Sequence, residues 1–120
     1  MSLLTLTTSQ EQEAVRIALE GELDLSSALL FDEELRRIED DAAADTVVLD
    51  LRTLKFMDST GLRLILSAHQ RARRAGRHLR IIPGGDAIRR IFRLTGVWKR
   101  LDIVEDGSAA RGSGASTPSA

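Results

Sequence analysis

The chain predicts a single α/β domain built on a mixed sheet of four to five strands packed with about four helices. Three observations carry this. Two alternating segments open the chain as a hairpin, strand-like and helix-like periodicities alternate from residue 21 onward, and "TVVLDL" (46–51) is nearly continuous in apolar residues. Such a run suits a central strand buried on both faces. At 120 residues one domain is expected, with a core covering roughly two-thirds of the unfolded surface.

In the hairpin, "LLTLTT" (3–8) and "AVRIALE" (14–20) alternate with Leu4 and Leu6, then Val15, Ile17 and Leu19, on one face. The polar "SQEQE" (9–13) connects them. "GELDLSS" (21–27) reads as a turn into a helix, with Gly21 ending the strand and Ser26 or Ser27 capping. The helix follows from Ala28, Phe31, Leu35, Ile38 and Ala42 at three- and four-residue spacing, with charged residues opposite. A second stripe, Leu62, Ile65, Leu66, His69 and Ala72, ends at Gly76. "HLRII" (78–82) is a strand stopped by Pro83-Gly84-Gly85. Asp86 is expected to cap a third helix with Ile88, Ile91, Phe92 and Thr95 inward. Val97, Trp98, Leu101, Ile103 and Val104 suggest a closing element. The domain is expected over 1–106 and a disordered Gly/Ser/Ala-rich tail over 107–120.

Composition removes several function classes. Without cysteine there are no disulfides or thiolate metal sites, and two histidines leave little for a histidine metal centre. We expect no metal and no cofactor. No apolar run is long enough to span a membrane and no leader pattern opens the chain, so a soluble cytoplasmic protein is expected. Residues 1–60 carry 14 acids and 5 bases, and residues 61–120 carry 4 acids and 12 bases. A folded domain brings these halves together, and one Trp with no Tyr offers few stacking platforms, so direct nucleic-acid binding is not expected.

The stretch that asks for chemistry is "LKFMDSTGLRLIL" (54–66), where Asp58, Ser59, Thr60 and Gly61 stand at a strand-to-helix turn. A serine nucleophile would need glycines on both sides, but Met57 precedes and only Gly61 follows. Its base would be His69, on the apolar stripe of the same helix, or His78, which lacks an evident acid. "PGGD" (83–86) lacks the Lys-Ser/Thr of a nucleotide loop. Glu22 and Asp24 could be an acid/base pair or simply solvate a turn. Ser59 could be a helix cap, worth about 1 kcal/mol. A cap needs only one such side chain, however, and Gly61 costs up to about 1 kcal/mol in the first helical turn unless something approaches closely there, another backbone or a phosphate.

"FMDSTGLRLIL", with "GELDLSSALLFDEEL", "VVLDLRTLKF" and "GRHLRIIPGGDAIRRIFRLTGVWKRLDI" around it, resembles the STAS domain from about Leu4 to Asp106. Within that superfamily the chain resembles the bacterial anti-sigma factor antagonists, non-enzymatic regulators of transcription that work by partner switching. The resemblance implies phosphorylation at Ser59, the first serine of the D-S-[ST]-G motif, with Thr60 standing where many members have a second serine. It implies partner binding through Glu22, Asp24, Asp58, Ser59, Thr60 and Gly61. The implied partners are an anti-sigma factor serine kinase of histidine-kinase-like ATPase fold, which the unphosphorylated form binds to free a sigma factor, and a serine phosphatase that resets the switch. Self-association as a weak homodimer is left open. The alternative is a STAS scaffold or ligand-sensing module of a stress-signalling assembly.

Overall fold

The opening hairpin is longer and tighter than its sequence suggests. β1 (Leu4–Glu11) and β2 (Ala14–Leu23) pair antiparallel from Leu4 opposite Gly21 to Glu11 opposite Ala14, so only Gln12 and Glu13 make the turn. Gln12 takes a φ of 56° to close it. The structure, a computed structural model, describes residues 3–41 and 44–105; Ala42 and the proposed tail lie outside them.

α1 (Ala28–Asp40), β3 (Thr46–Met57), α2 (Ser59–Arg74), β4 (His78–Ile82) and α3 (Asp86–Leu94) follow, then a single 3-10 turn (Val97–Lys99) and β5 (Asp102–Ile103). Among the described residues, three α-helices and this turn are the helical segments, where about four helices were expected. The five strands lie in sequence order, with β2, β3, β4 and β5 parallel. Because every crossover steps the same way along the sheet, a common hand puts all helices on one face. The core shows this: Val15, Ile17, Leu19, Leu49, Leu51, Leu79 and Ile81 form one cluster with Phe31, Leu35, Leu62, Ile65, Ile88 and Phe92. Each fully buried large side chain contributes about 1.5–3 kcal/mol. Thr95, expected inside, is instead exposed at the end of α3, where its Oγ1 donates to the Ile91 carbonyl at 2.6 Å.

β3 is buried on both faces at its start, although helices cover only one. On the other, Val48 packs with Ile82 and Val104. Beside them Asp50 accepts from Arg52 at 2.7 Å and Arg16 at 3.0 Å. Burial pushes the Asp50 carboxyl up, but the bonds to Arg52 and Arg16 outweigh it and hold it below the ordinary carboxylate range. Its contribution to stability is present above the unfolded-state value and is lost as pH falls through the lower folded value.

Two departures from the sequence reading position the site. Gly21 does not end β2; it sits inside the strand at φ 106°, where a Cβ would lie 2.2 Å from the Leu3 carbonyl oxygen, and pairing continues to Leu23. β3 likewise runs six residues past Leu51. Register shifts each place an extra residue on β3, between the Ala18 and Glu20 pairs and between the Gly21 and Glu22 pairs. Core residues there recur every third position, as Leu51, Leu54 and Met57, instead of every second. The outcome is that Leu23 pairs with Met57, so the loops leaving β2 and β3 emerge side by side.

Candidate functional site

Asp58 joins these two loops. Its backbone is extended (φ −102°, ψ −174°), it occupies the N-cap of α2, and its Oδ1 accepts from the Gly61 N–H at 3.1 Å. Its Oδ2 accepts from the Leu25 N–H at 3.1 Å, and its own N–H donates to the Leu23 carbonyl at 3.1 Å. One aspartate thus caps a helix and clamps the neighbouring loop. The neighbouring loop is folded on itself. Asp24 Oδ1 accepts from the Ser26 hydroxyl at 2.8 Å and from the N–H groups of Ser26 and Ser27 at 3.1 and 3.2 Å. The buried Ser27 hydroxyl donates to the Glu22 carbonyl at 2.9 Å and accepts from the Asp24 N–H at 3.0 Å. Ser27 holds the N-cap position of α1 without a side-chain capping bond; its hydroxyl is spent inside the turn.

Ser59 is therefore not the cap, which corrects the simplest sequence reading. It is the first residue of α2, exposed, with no side-chain hydrogen bond among the described residues, whereas Thr60 is half-buried. Gly61 is needed for a reason other than phosphate approach. A Cβ there would meet Leu23 Cγ at 2.7 Å and Met57 Cγ at 3.0 Å, so the glycine admits the Leu23 side chain beneath the helix start. Glu22 is exposed on β2, opposite Phe56 in register. The structure thus brings Glu22 and Asp24 to the same end of the sheet as Asp58, Ser59, Thr60 and Gly61.

Sequence reasoning missed three exposed apolar residues near this end of the sheet. Leu25 is 76% exposed, Leu29 67% and Phe56 48%. Leu25 is bonded to Asp58 through its backbone, Leu29 lies in the first turn of α1, and Phe56 stands two residues before Asp58. One signal was legible: Leu29 lies off the stripe of Ala28, Phe31, Leu35 and Ile38, so it could not share their burial.

The competing chemistries lose their geometry. His69 is ten residues beyond Ser59 on the same helix, about 15 Å along its axis at 1.5 Å per residue. Burial first, then Arg73 and Arg100, hold its imidazole below the ordinary histidine range. His78 starts β4, at the opposite end of the strands. At "PGGD" the N-cap of α3 is Gly85, with no side-chain bond, and Asp86 is the first helical residue instead of the expected cap. A Cβ on Gly84 would lie 2.4 Å from the Leu51 carbonyl oxygen, so that glycine answers to packing on β3. Among the described residues no group of His, Cys, Asp or Glu is arranged to hold a metal, and no helix is long and apolar enough to cross a membrane.

The family model described as the STAS domain matches residues 5–109. The chain belongs to the STAS domain family. A relative from Staphylococcus aureus, named an anti-sigma-B factor antagonist, is 29% identical over 105 residues, covering 88% of this chain and 95% of its own. An anti-sigma factor antagonist from Mycobacterium paratuberculosis has the same fold, with a TM-score of 0.83 at 20% identity over 90% of this chain and 91% of that one. The phosphorylated form of SpoIIAA, a Bacillus cell fate determinant, superposes with a TM-score of 0.66 at 21% identity over 89% of this chain and 96% of that one.

Proposed function

We propose that this STAS protein is an anti-sigma factor antagonist: a regulator, not an enzyme, whose unphosphorylated form binds an anti-sigma factor and which is switched off by phosphorylation at Ser59. The observation that carries the reading is the placement of Ser59. Its hydroxyl is exposed on the first residue of a helix, while Asp58 beside it does the capping. The serine can therefore be modified without removing the bond that holds the helix start.

The first N–H groups of a helix lack intrahelical partners and carry the positive end of its dipole. A phosphate at Ser59, with about −1.5 to −2 charges, is accommodated there. Beside Asp58 it makes a concentrated negative charge amid Leu25, Leu29 and Phe56. An apolar partner surface seated on those residues in the unmodified state would then face a desolvated charge, and the complex would dissociate. The kinase, of histidine-kinase-like ATPase fold, is in this reading the anti-sigma factor itself, and a serine phosphatase reverses the step. Thr60 is the poorer acceptor because it is half-buried.

The test is incubation of the full chain with its anti-sigma factor and ATP, followed by mass mapping. One phosphate on Ser59, absent from Ser59→Ala, is expected. Undiminished incorporation in Ser59→Ala would overturn the assignment.

A further inference from the structure

The charge imbalance between the two halves is only partly cancelled in the fold. Arg71 is neutralised by Glu39, at 2.8 Å to each carboxylate oxygen, and Arg80 and Arg89 also find acids. A basic cluster, in which Arg73, Lys99 and Arg100 have no acid partner among the described residues, stands at the end of the molecule away from Ser59. His69 and Arg73 from α2, Arg77 and His78 at the start of β4, and Lys99 and Arg100 beyond α3 line one continuous cleft, with a volume of about 450 Å³ in its larger part. Arg73, Lys99 and Arg100 make no ion pair among the described residues, and the nearby Asp102 is engaged by Arg80 at 3.5 Å.

Basic residues in the last turn of a helix oppose its dipole, which accounts for Arg73. That does not account for Lys99 and Arg100, which arrive from a separate element and converge on the same space. Like charges gathered around a concavity are unfavourable until a counter-charge occupies it. His69 adds an independent mark. Its Nδ1 is shielded from solvent without a hydrogen-bond partner, and such an atom is least costly as a bare lone pair, which leaves the ring proton on Nε2 as a donor.

We propose that this cleft binds a compact, multiply charged phosphate, of the size of pyrophosphate or a small phosphorylated metabolite, between Arg73 and Arg100 with His69 as a donor. A nucleotide base has no platform there: Trp98 lies edge-on to Phe92 at 6.3 Å and under Arg93 at 4.9 Å. The site is independent of the Ser59 switch.

The test is calorimetry and amide NMR of the full chain titrated with inorganic tripolyphosphate at constant ionic strength. The variants are Arg73→Gln/Arg100→Gln and, as a charge-matched control on exposed positions elsewhere, Lys55→Gln/Arg90→Gln. Saturable one-to-one binding is expected, with shifts confined to residues 66–79 and 99–102, a loss of at least tenfold in the first variant and under twofold in the control. The His69 imidazole pKa should rise on binding, since the anion offsets Arg73 and Arg100, which lower it, in a cleft shared with Arg77, His78, Lys99 and the acid Asp102. Unsaturable binding, equal losses in both variants, or shifts centred elsewhere would overturn the proposal. So would binding of an acidic peptide or an oligonucleotide but not of tripolyphosphate. If the first variant proved unfolded by its melting curve, the shift map and the His69 titration of the wild type would decide.

Discussion

Helices α2 and α3 both leave a parallel strand through a short turn, yet their first residues are built differently. α2 begins Asp58-Ser59, with the carboxylate at the N-cap and a free hydroxyl at the first helical position. α3 begins Gly85-Asp86, with no side-chain cap and a permanent carboxylate at that first position. Asp86 thus shows in the same molecule what a fixed negative charge at the head of a helix does: the helix forms and packs Ile88 and Phe92 into the core. A charge added at Ser59, as the proposed function requires, would meet equivalent backbone. The difference between the two starts is that one has its charge fixed and the other leaves the position open to modification, with the cap moved one residue back. Each turn also needs a glycine for packing, Gly61 over Leu23 and Gly84 against Leu51.

The largest expected effect breaks the α3 side of the comparison. In Gly84→Ala the new Cβ meets a backbone carbonyl oxygen at 2.4 Å, which cannot swing aside. A loss of about 3 kcal/mol in urea unfolding is expected, at the upper end for overpacking. A neutral result would mean that packing does not set this turn. Next comes Asp58→Ala, which removes the bonds to Gly61 and Leu25 together. A loss of about 2 kcal/mol is expected, with Asp58→Asn recovering at least half because Asn also caps well. Equal losses in both would shift the weight from capping to charge. Asp86→Ala should cost only about 0.5 kcal/mol, since it loses a charge–dipole interaction without a capping bond. Ser59→Ala should be smaller still, within about 0.5 kcal/mol by thermal or urea unfolding, because its hydroxyl holds nothing. A loss of a full kcal/mol there would restore Ser59 as a structural cap.

Much of this was legible in the sequence, and the misses have physical causes. The helical stripes found Phe31, Leu35, Ile38, Leu62, Ile65, Ile88 and Phe92, and strand alternation found Val15, Ile17 and Leu19, because those periods follow directly from backbone geometry. The sequence marks β3 only to Leu51 because each bulge stretches the inward spacing from two to three, erasing the alternation that marks a strand. Gly21 looked like a stop because a glycine at positive φ can either end a strand or kink it, and only pairing with the neighbour decides. The cap could not be assigned among Asp58, Ser59 and Thr60 from side-chain chemistry alone, since all three are able to accept the bond. The exposed Leu25 and Phe56 fell in segments read as a turn and as an approach to one, where no periodicity separates buried from exposed.

The proposed switch requires that a negative charge at Ser59 reject the partner without disturbing the fold. It is tested most directly by Ser59→Asp, measuring affinity for the anti-sigma factor and melting temperature on the same preparation. Binding at least about tenfold weaker is expected, a penalty of about 1.4 kcal/mol, with a melting temperature within about 2 °C of wild type. Wild-type affinity in the variant, or weak binding accompanied by a large fall in melting temperature, would contradict it.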